Sequence, residues 1–273
     1  MGSLVTARDA QVRESGQREK FTRWFPQVLS NVPAQRNEQL FQALLAFCKE
    51  ALRTTDEKMQ VAGALPIPFG ELEYMTVFCR LFVAEPKLAV PKSRQLMLTW
   101  ISYGCIMWWL MRSPNQRWAL VQKKLEDGRD DIEMRLKLAY WENLPKWLRD
   151  LYTLAPLKGK FELSHYRGAP WSSSLTPYPI GSNQLRSKAH TGVFIDEAAH
   201  QDLSSFWRSA MPTIEGRGKK VGRLLLVSSA EPASDFQAVC GAQLREAVMM
   251  ARGTPMLPDD ANEIGGWNLA RGA

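Results

Sequence analysis

Asp196 and Glu197 stand side by side at the end of the apolar run Gly192-Val193-Phe194-Ile195. Charge beside a core strand costs free energy unless a cation, hydrogen-bond donors or solvent compensate it. Two adjacent carboxylates there suit two jobs in phosphoryl chemistry. One helps hold a hydrated divalent cation, and the other polarises an attacking water. The structural alternative is that either acid stabilises a helix N-terminus, where the backbone dipole favours negative charge. Two other segments carry suitable residues. "VPKSRQLMLTW" (90–100) offers Lys92, Ser93, Arg94, Gln95 and Thr99 between a short apolar run and a helical pattern. At such a junction, free backbone N–H groups and the helix dipole favour a phosphate, though a strand–loop–helix turn with a basic surface reads the same way. "LLLVSSAEP" (224–232) ends an apolar run in Ser228 and Ser229. Their hydroxyls suit a γ-phosphate or its attacking water, or equally a helix cap or turn.

The elements around these segments must bring them together. Apolar runs predict strands at 87–90, 117–122, 192–195 and 222–229, with extended stretches at 159–166 and 171–180. Helical spacing marks 37–53, 99–112, 124–140, 202–211 and 234–251. Strands alternating with helices predict an α/β domain with a mostly parallel sheet. In such sheets ligands bind beyond the carboxyl ends of the strands, where all three segments fall. The expected organisation is a helical, partly disordered segment over 1–60, the α/β domain over 61–252, and an irregular tail over 253–273.

Composition narrows the setting. The 273 residues are 45% hydrophobic and 23% charged, an ordinary globular balance. The net charge of +7 suits a polyanionic partner without requiring one. Cys48, Cys79, Cys105 and Cys240 are widely spaced with no C-x-x-C pair, which argues against a zinc site or a disulfide scaffold. His165, His190 and His200 are scattered. The N-terminus lacks the apolar core of a signal peptide. The most apolar run, 100–111, is shorter than the roughly 20 residues that span a bilayer, so it reads as a buried helix. A reducing, cytoplasmic setting and no membrane association are expected.

Each motif alone is weak. Measured against G-x-x-x-x-G-K-[ST], Met97 stands at the second Gly and Leu98 at the Lys; only Thr99 keeps its place. The apolar strand ending in Asp-Glu resembles a Walker B motif. The order of basic loop, Asp-Glu strand and Ser-Ser strand resembles the ATPase domain of phage large terminase subunits, the motors that pump DNA into capsids. In that family the P-loop is often deviant, its lysine moved to the start of the loop. "YPIGSNQLRSKAHTGVFIDEAAH" (178–200) is similar to the family's approach to Walker B, through Gly181, Arg186-Ser187 and Asp196-Glu197-Ala198-Ala199. "VQKKLEDGRDDIEMRL" (121–136) resembles the segment that follows the P-loop. The resemblance spans about 75 to 240.

The resemblance implies a P-loop NTPase-like (ASCE/RecA-like) fold, with ATP and Mg²⁺ as cofactors. It makes Lys92 the displaced phosphate-binding lysine, with Ser93, Arg94, Gln95 and Thr99 completing the nucleotide loop. Thr99 and Asp196 serve the metal, Glu197 and Arg94 catalysis, and Ser228 and Ser229 coupling. Arg129 and Arg135 are candidates to act in trans in a homo-oligomeric ring. Partners by resemblance are the portal protein, the small terminase subunit and double-stranded DNA, in the cytoplasm of the host cell. Non-specific phosphate contacts fit the basic stretch 208–223, through Arg217, Lys219, Lys220 and Arg223; a solvated basic turn is the alternative. The family's nuclease domain has no counterpart expected here, and Asp259-Asp260 reads as a loop pair, so no DNA cleavage is expected. Two rival readings are an ATPase-fold scaffold that binds DNA or capsid with impaired catalysis, and a helicase-like ATPase.

Overall fold

The structure, a computed structural model, describes residues 15–27, 29–54, 67–68, 73–92, 97–165, 171–181, 185, 188–203, 206, 214–216, 219–220, 222–229, 231 and 234–241. The tail beyond 241 and the start before 15 lie outside them, as do most of the helix expected over 202–211 and the end of that expected over 234–251. The chain divides into two compact units. One comprises 1–84, 100–116 and 130–174; the other 85–99, 117–129 and 175–273.

Seven strands form one sheet: β1 (Lys87–Lys92), β2 (Arg117–Gln122), β3 (Thr153–Leu154), β4 (Phe161–Ser164), β5 (Ser172–Pro179), β6 (Gly192–Asp196) and β7 (Arg223–Ser229). Their order is β1-β7-β6-β2-β5-β4-β3. The β1/β7, β7/β6 and β6/β2 pairs are parallel, and the β3/β4 pair is antiparallel. This is the predominantly parallel sheet that the strand–helix alternation predicts.

In the second unit, β6 and β7 are apolar along their middles because both faces are covered. Val193, Ile195, Leu224 and Leu226 share a core cluster with Ala119, Val121, Phe206, Phe236 and Val239. A further constraint is steric. Gly192 pairs with Trp118 across the β6/β2 ladder, and a Cβ at 192 would stand 2.3 Å from the buried indole. Trp118 is 1% exposed and has no room to retreat, so only glycine starts this strand.

The first unit is mainly helical, with β3, β4, the start of β5 and a short antiparallel pair, Arg53–Thr54 with Ile67–Pro68. It contains α1 (Ser15–Trp24), α2 (Pro33–Glu50), α3 (Glu73–Ala84) and most of α4 (Leu98–Arg112). Helix α4 is apolar all round, with Ile106, Met107 and Trp108 fully buried, as a core helix must be. Trp108 satisfies its indole N–H by donating to the Trp24 carbonyl at 2.7 Å. The single helix expected over 124–140 is instead α5 (Leu125–Asp131) continuing as π-helical turns, Ile132–Tyr140. The wider i→i+5 turn brings Ile132, Leu136 and Tyr140, four residues apart, onto one buried face. Among the described residues, no helix is long and apolar enough to cross a membrane.

Candidate active site

The site lies within the second unit, at the carboxyl ends of three neighbouring strands. Ser229 on β7 is level with Lys92 at the end of β1, and Val227 is level with Asp196 at the end of β6. Parallel pairing therefore brings Lys92, the Ser228-Ser229 pair and the Asp196-Glu197 pair, distant in sequence, to one rim of the sheet. Lys92 itself is the last residue of β1 rather than part of the following loop, because the strand runs through Pro91 to 92. As β1 is the sheet's outermost strand, a proline in it costs no central ladder bond.

Three side chains converge there. The Lys92 ammonium donates to Thr99 Oγ1 at 2.5 Å and lies 3.5 Å from Asp196 Oδ1. The Thr99 hydroxyl donates to the same carboxylate oxygen at 3.3 Å. Asp196 is only 6% exposed, so its charge needs these partners. The Glu197 backbone N–H adds a third donor at 3.0 Å. Gln201, which the sequence reading did not single out, braces the main chain here: its amide donates to the Asp196 carbonyl at 2.6 Å, and its own Oε1 is buried without a partner. Nothing in its type or position five residues on marked it.

Glu197 is handled differently from its neighbour. It sits in left-handed backbone (φ 53°, ψ 41°), which ends the strand and turns the chain into the short 3₁₀ turn Ala198–His200. Its side chain is exposed and makes no capping bond to that turn. The helix-stabilising alternative therefore finds no support at Glu197. Met97 is left-handed as well (φ 52°), one residue before α4. Non-glycine residues rarely adopt this region, and those that do cluster where a site fixes the backbone. Thus, where a glycine would stand in the standard loop pattern, Met97 retains the glycine-like conformation. Leu98 turns into the core at 5% exposure.

The remaining candidates are distributed as follows. Ser228 is fully buried, and its Oγ accepts the Ala199 N–H at 3.0 Å, tying the end of β7 to the turn that follows Glu197. Ser229 is half-buried beside it. Ser93, Arg94 and Gln95 lie outside the described residues, as do Arg186, Ser187, Arg217, Asp259 and Asp260. Lys219 and Lys220 form a short strand antiparallel to Glu215–Gly216. Arg223 is drawn inward, its guanidinium donating to the Glu85 carbonyl at 2.8 Å. In the first unit, Arg135 is paired with Asp131 at 3.1 Å and lies over the Trp100 ring. Arg129, on α5, is exposed.

Chemically, the Thr99 hydroxyl and Asp196 carboxylate are hard oxygen donors, which suit Mg²⁺ held largely through its own waters. The adjoining ammonium suits phosphate oxygens. Sheet order and strand-end placement together define an α/β fold with a mostly parallel sheet and a polar site at its carboxyl rim. The solved structures it matches are more specific. The large terminase ATPase domain of Thermus phage P74-26 is 15% identical, with a TM-score of 0.52 over 69% of this chain and 74% of that one. The HK97 bacteriophage large terminase is 15% identical, with a TM-score of 0.56 over 77% of this chain and 42% of that one. The chain thus has the fold of phage large terminase ATPase domains and spans less than half of the HK97 protein. No protein-family model and no curated protein matches the sequence.

Proposed function

We propose that this chain is the ATPase part of a phage or prophage large terminase, hydrolysing Mg-ATP to drive DNA into procapsids. The observation that carries the reading is the contact of Lys92, Thr99 and Asp196 at the carboxyl rim of a sheet with the terminase ATPase fold. Lys92 donates to the phosphate oxygens. Thr99 and Asp196 would hold the cation, which would supply neutralisation of the phosphate charge when bound. Glu197, exposed beside the buried acid, orients the attacking water and takes its proton. Arg94 or an arginine of a neighbouring subunit, Arg129 being the exposed candidate, balances charge developing in the transition state. Ser228 links the Glu197 turn to β7, a route by which phosphate release could be felt along the sheet.

Calorimetry with the purified chain tests the nucleotide half. Mg-ATP should bind with a dissociation constant within the ~1 μM–1 mM range usual for enzyme substrates. Chelation of Mg²⁺ or Asp196→Ala should weaken it at least about tenfold, one lost charge contact. Absence of binding to the folded wild type would remove the proposal.

The DNA half has its own readout. With Arg223 engaged by the Glu85 carbonyl, three of the four cations proposed for phosphate contact (Arg217, Lys219 and Lys220) remain. Duplex affinity should then fall with salt at a log–log slope of about −3, the same for unrelated sequences. A slope near zero, or strong sequence preference, in fluorescence anisotropy would rule out this surface.

A further inference from the structure

Cys48, Cys79 and Cys105, far apart in sequence, meet inside the first unit. They come from α2, α3 and α4, and their sulfurs all lie within 4.8 Å of one another, with Cys79 and Cys105 at 4.0 Å. None is more than 2% exposed. Wide spacing in the sequence tells against a zinc site only for ligands close along the chain. Helix packing supplies the proximity instead. Thiols do serve as small apolar core fillers. That role does not require three sulfurs from three helices to share one point.

We infer that Cys48, Cys79 and Cys105 form a binding site for a soft, thiophilic metal ion, zinc(II) in particular. The spacing fits: an ion central to three sulfurs 4.0 Å apart lies about 2.3 Å from each, the usual zinc–thiolate length. At the 4.8 Å limit the centre is about 2.8 Å away, so a shift of a few tenths of an ångström closes the site. Charge favours a divalent ion over copper(I). Three thiolates around zinc(II) leave a single negative charge in an apolar interior, whereas copper(I) leaves two. Binding takes the sulfurs as thiolates, so the entering ion displaces their protons. Among the described residues no fourth Cys, His, Asp or Glu joins the cluster, so the fourth zinc position falls to a small exogenous ligand such as water.

The test uses the full chain, produced in zinc-supplemented medium and purified without a metal column. Elemental analysis should find about one zinc per chain. Cobalt(II) introduced by refolding should give thiolate-to-cobalt charge-transfer absorption, lost in Cys79→Ser and Cys105→Ser and kept in Cys240→Ser. Should the first two fail to fold, the wild type suffices. A zinc chelator should lower its thermal midpoint by several degrees, and Zn²⁺ but not Mg²⁺ should restore it. Zinc-free protein with a midpoint indifferent to Zn²⁺ would overturn the inference, as would zinc retained by a folded Cys79→Ser or a Cys79–Cys105 disulfide in place of the ion. ATP turnover plays no part in these readouts, so they stand apart from the function proposed above.

Discussion

Glu197→Gln is expected to leave Mg-ATP binding unchanged and to lower ATP turnover about 10²- to 10⁴-fold, the usual contribution of a positioned general base. The substitution isolates chemistry from folding for reasons visible in the site. The side chain is exposed and caps nothing, so its carboxylate contributes little to stability. Glutamine has the same length and the same tolerance of the left-handed backbone at φ 53°. The buried acid beside it, with its Lys92 and Thr99 contacts, is untouched. What disappears is the ability to accept a proton from water. Phosphate release in steady state measures the loss, and calorimetry with a slowly hydrolysed analogue checks binding. Equal hydrolysis by both proteins would instead favour the non-catalytic scaffold that binds DNA or capsid.

The sheet was legible in the sequence where the chain has no alternative. Runs such as Leu224-Leu225-Leu226-Val227 can be satisfied only by burial on both faces, and the strand expected over 117–122 is observed over those residues. The Asp-Glu pair stood out for the same reason: charge interrupting such a run demands compensation. What stayed hidden depends on through-space packing. The cysteine cluster is assembled by three helices whose mutual fit leaves no trace in local spacing. Arg135 reads as a surface cation until the π-helical turns carry it against Asp131 and Trp100. Met97 reads as a loss because side-chain identity suggests a blocked loop, yet its backbone takes the left-handed angle that glycine favours, which sequence does not display. Lys92 reads as a loop residue when the strand is taken to end at Val90, but the edge strand runs on through Pro91 to Lys92.

Lys92→Ala is expected to weaken Mg-ATP binding roughly 30- to 5,000-fold, corresponding to about 2–5 kcal/mol for deleting one member of a desolvated charge contact. The lysine side chain is 18% exposed and that of Asp196 8%, so this contact is only partly screened by solvent. Its removal has two consequences that pull on binding in the same direction. The phosphates lose their ammonium, and among the described residues Asp196 keeps the Thr99 hydroxyl and the Glu197 N–H to offset its charge. Those two donors should keep the fold intact, at a stability cost below the ~3–5 kcal/mol of breaking a fully buried pair. Thermal unfolding of the variant checks that point before binding is measured. Lys92→Arg separates the two consequences. Its guanidinium restores charge beside Asp196, but its planar fork does not reproduce the compact ammonium that sits on Thr99 Oγ1. Stability should therefore return to the wild-type value while binding recovers only in part. A folded Lys92→Ala that binds Mg-ATP within about threefold of the wild type, a difference below 1 kcal/mol, would mean that the phosphate-binding cation is elsewhere. Arg94 would then be the residue to substitute next.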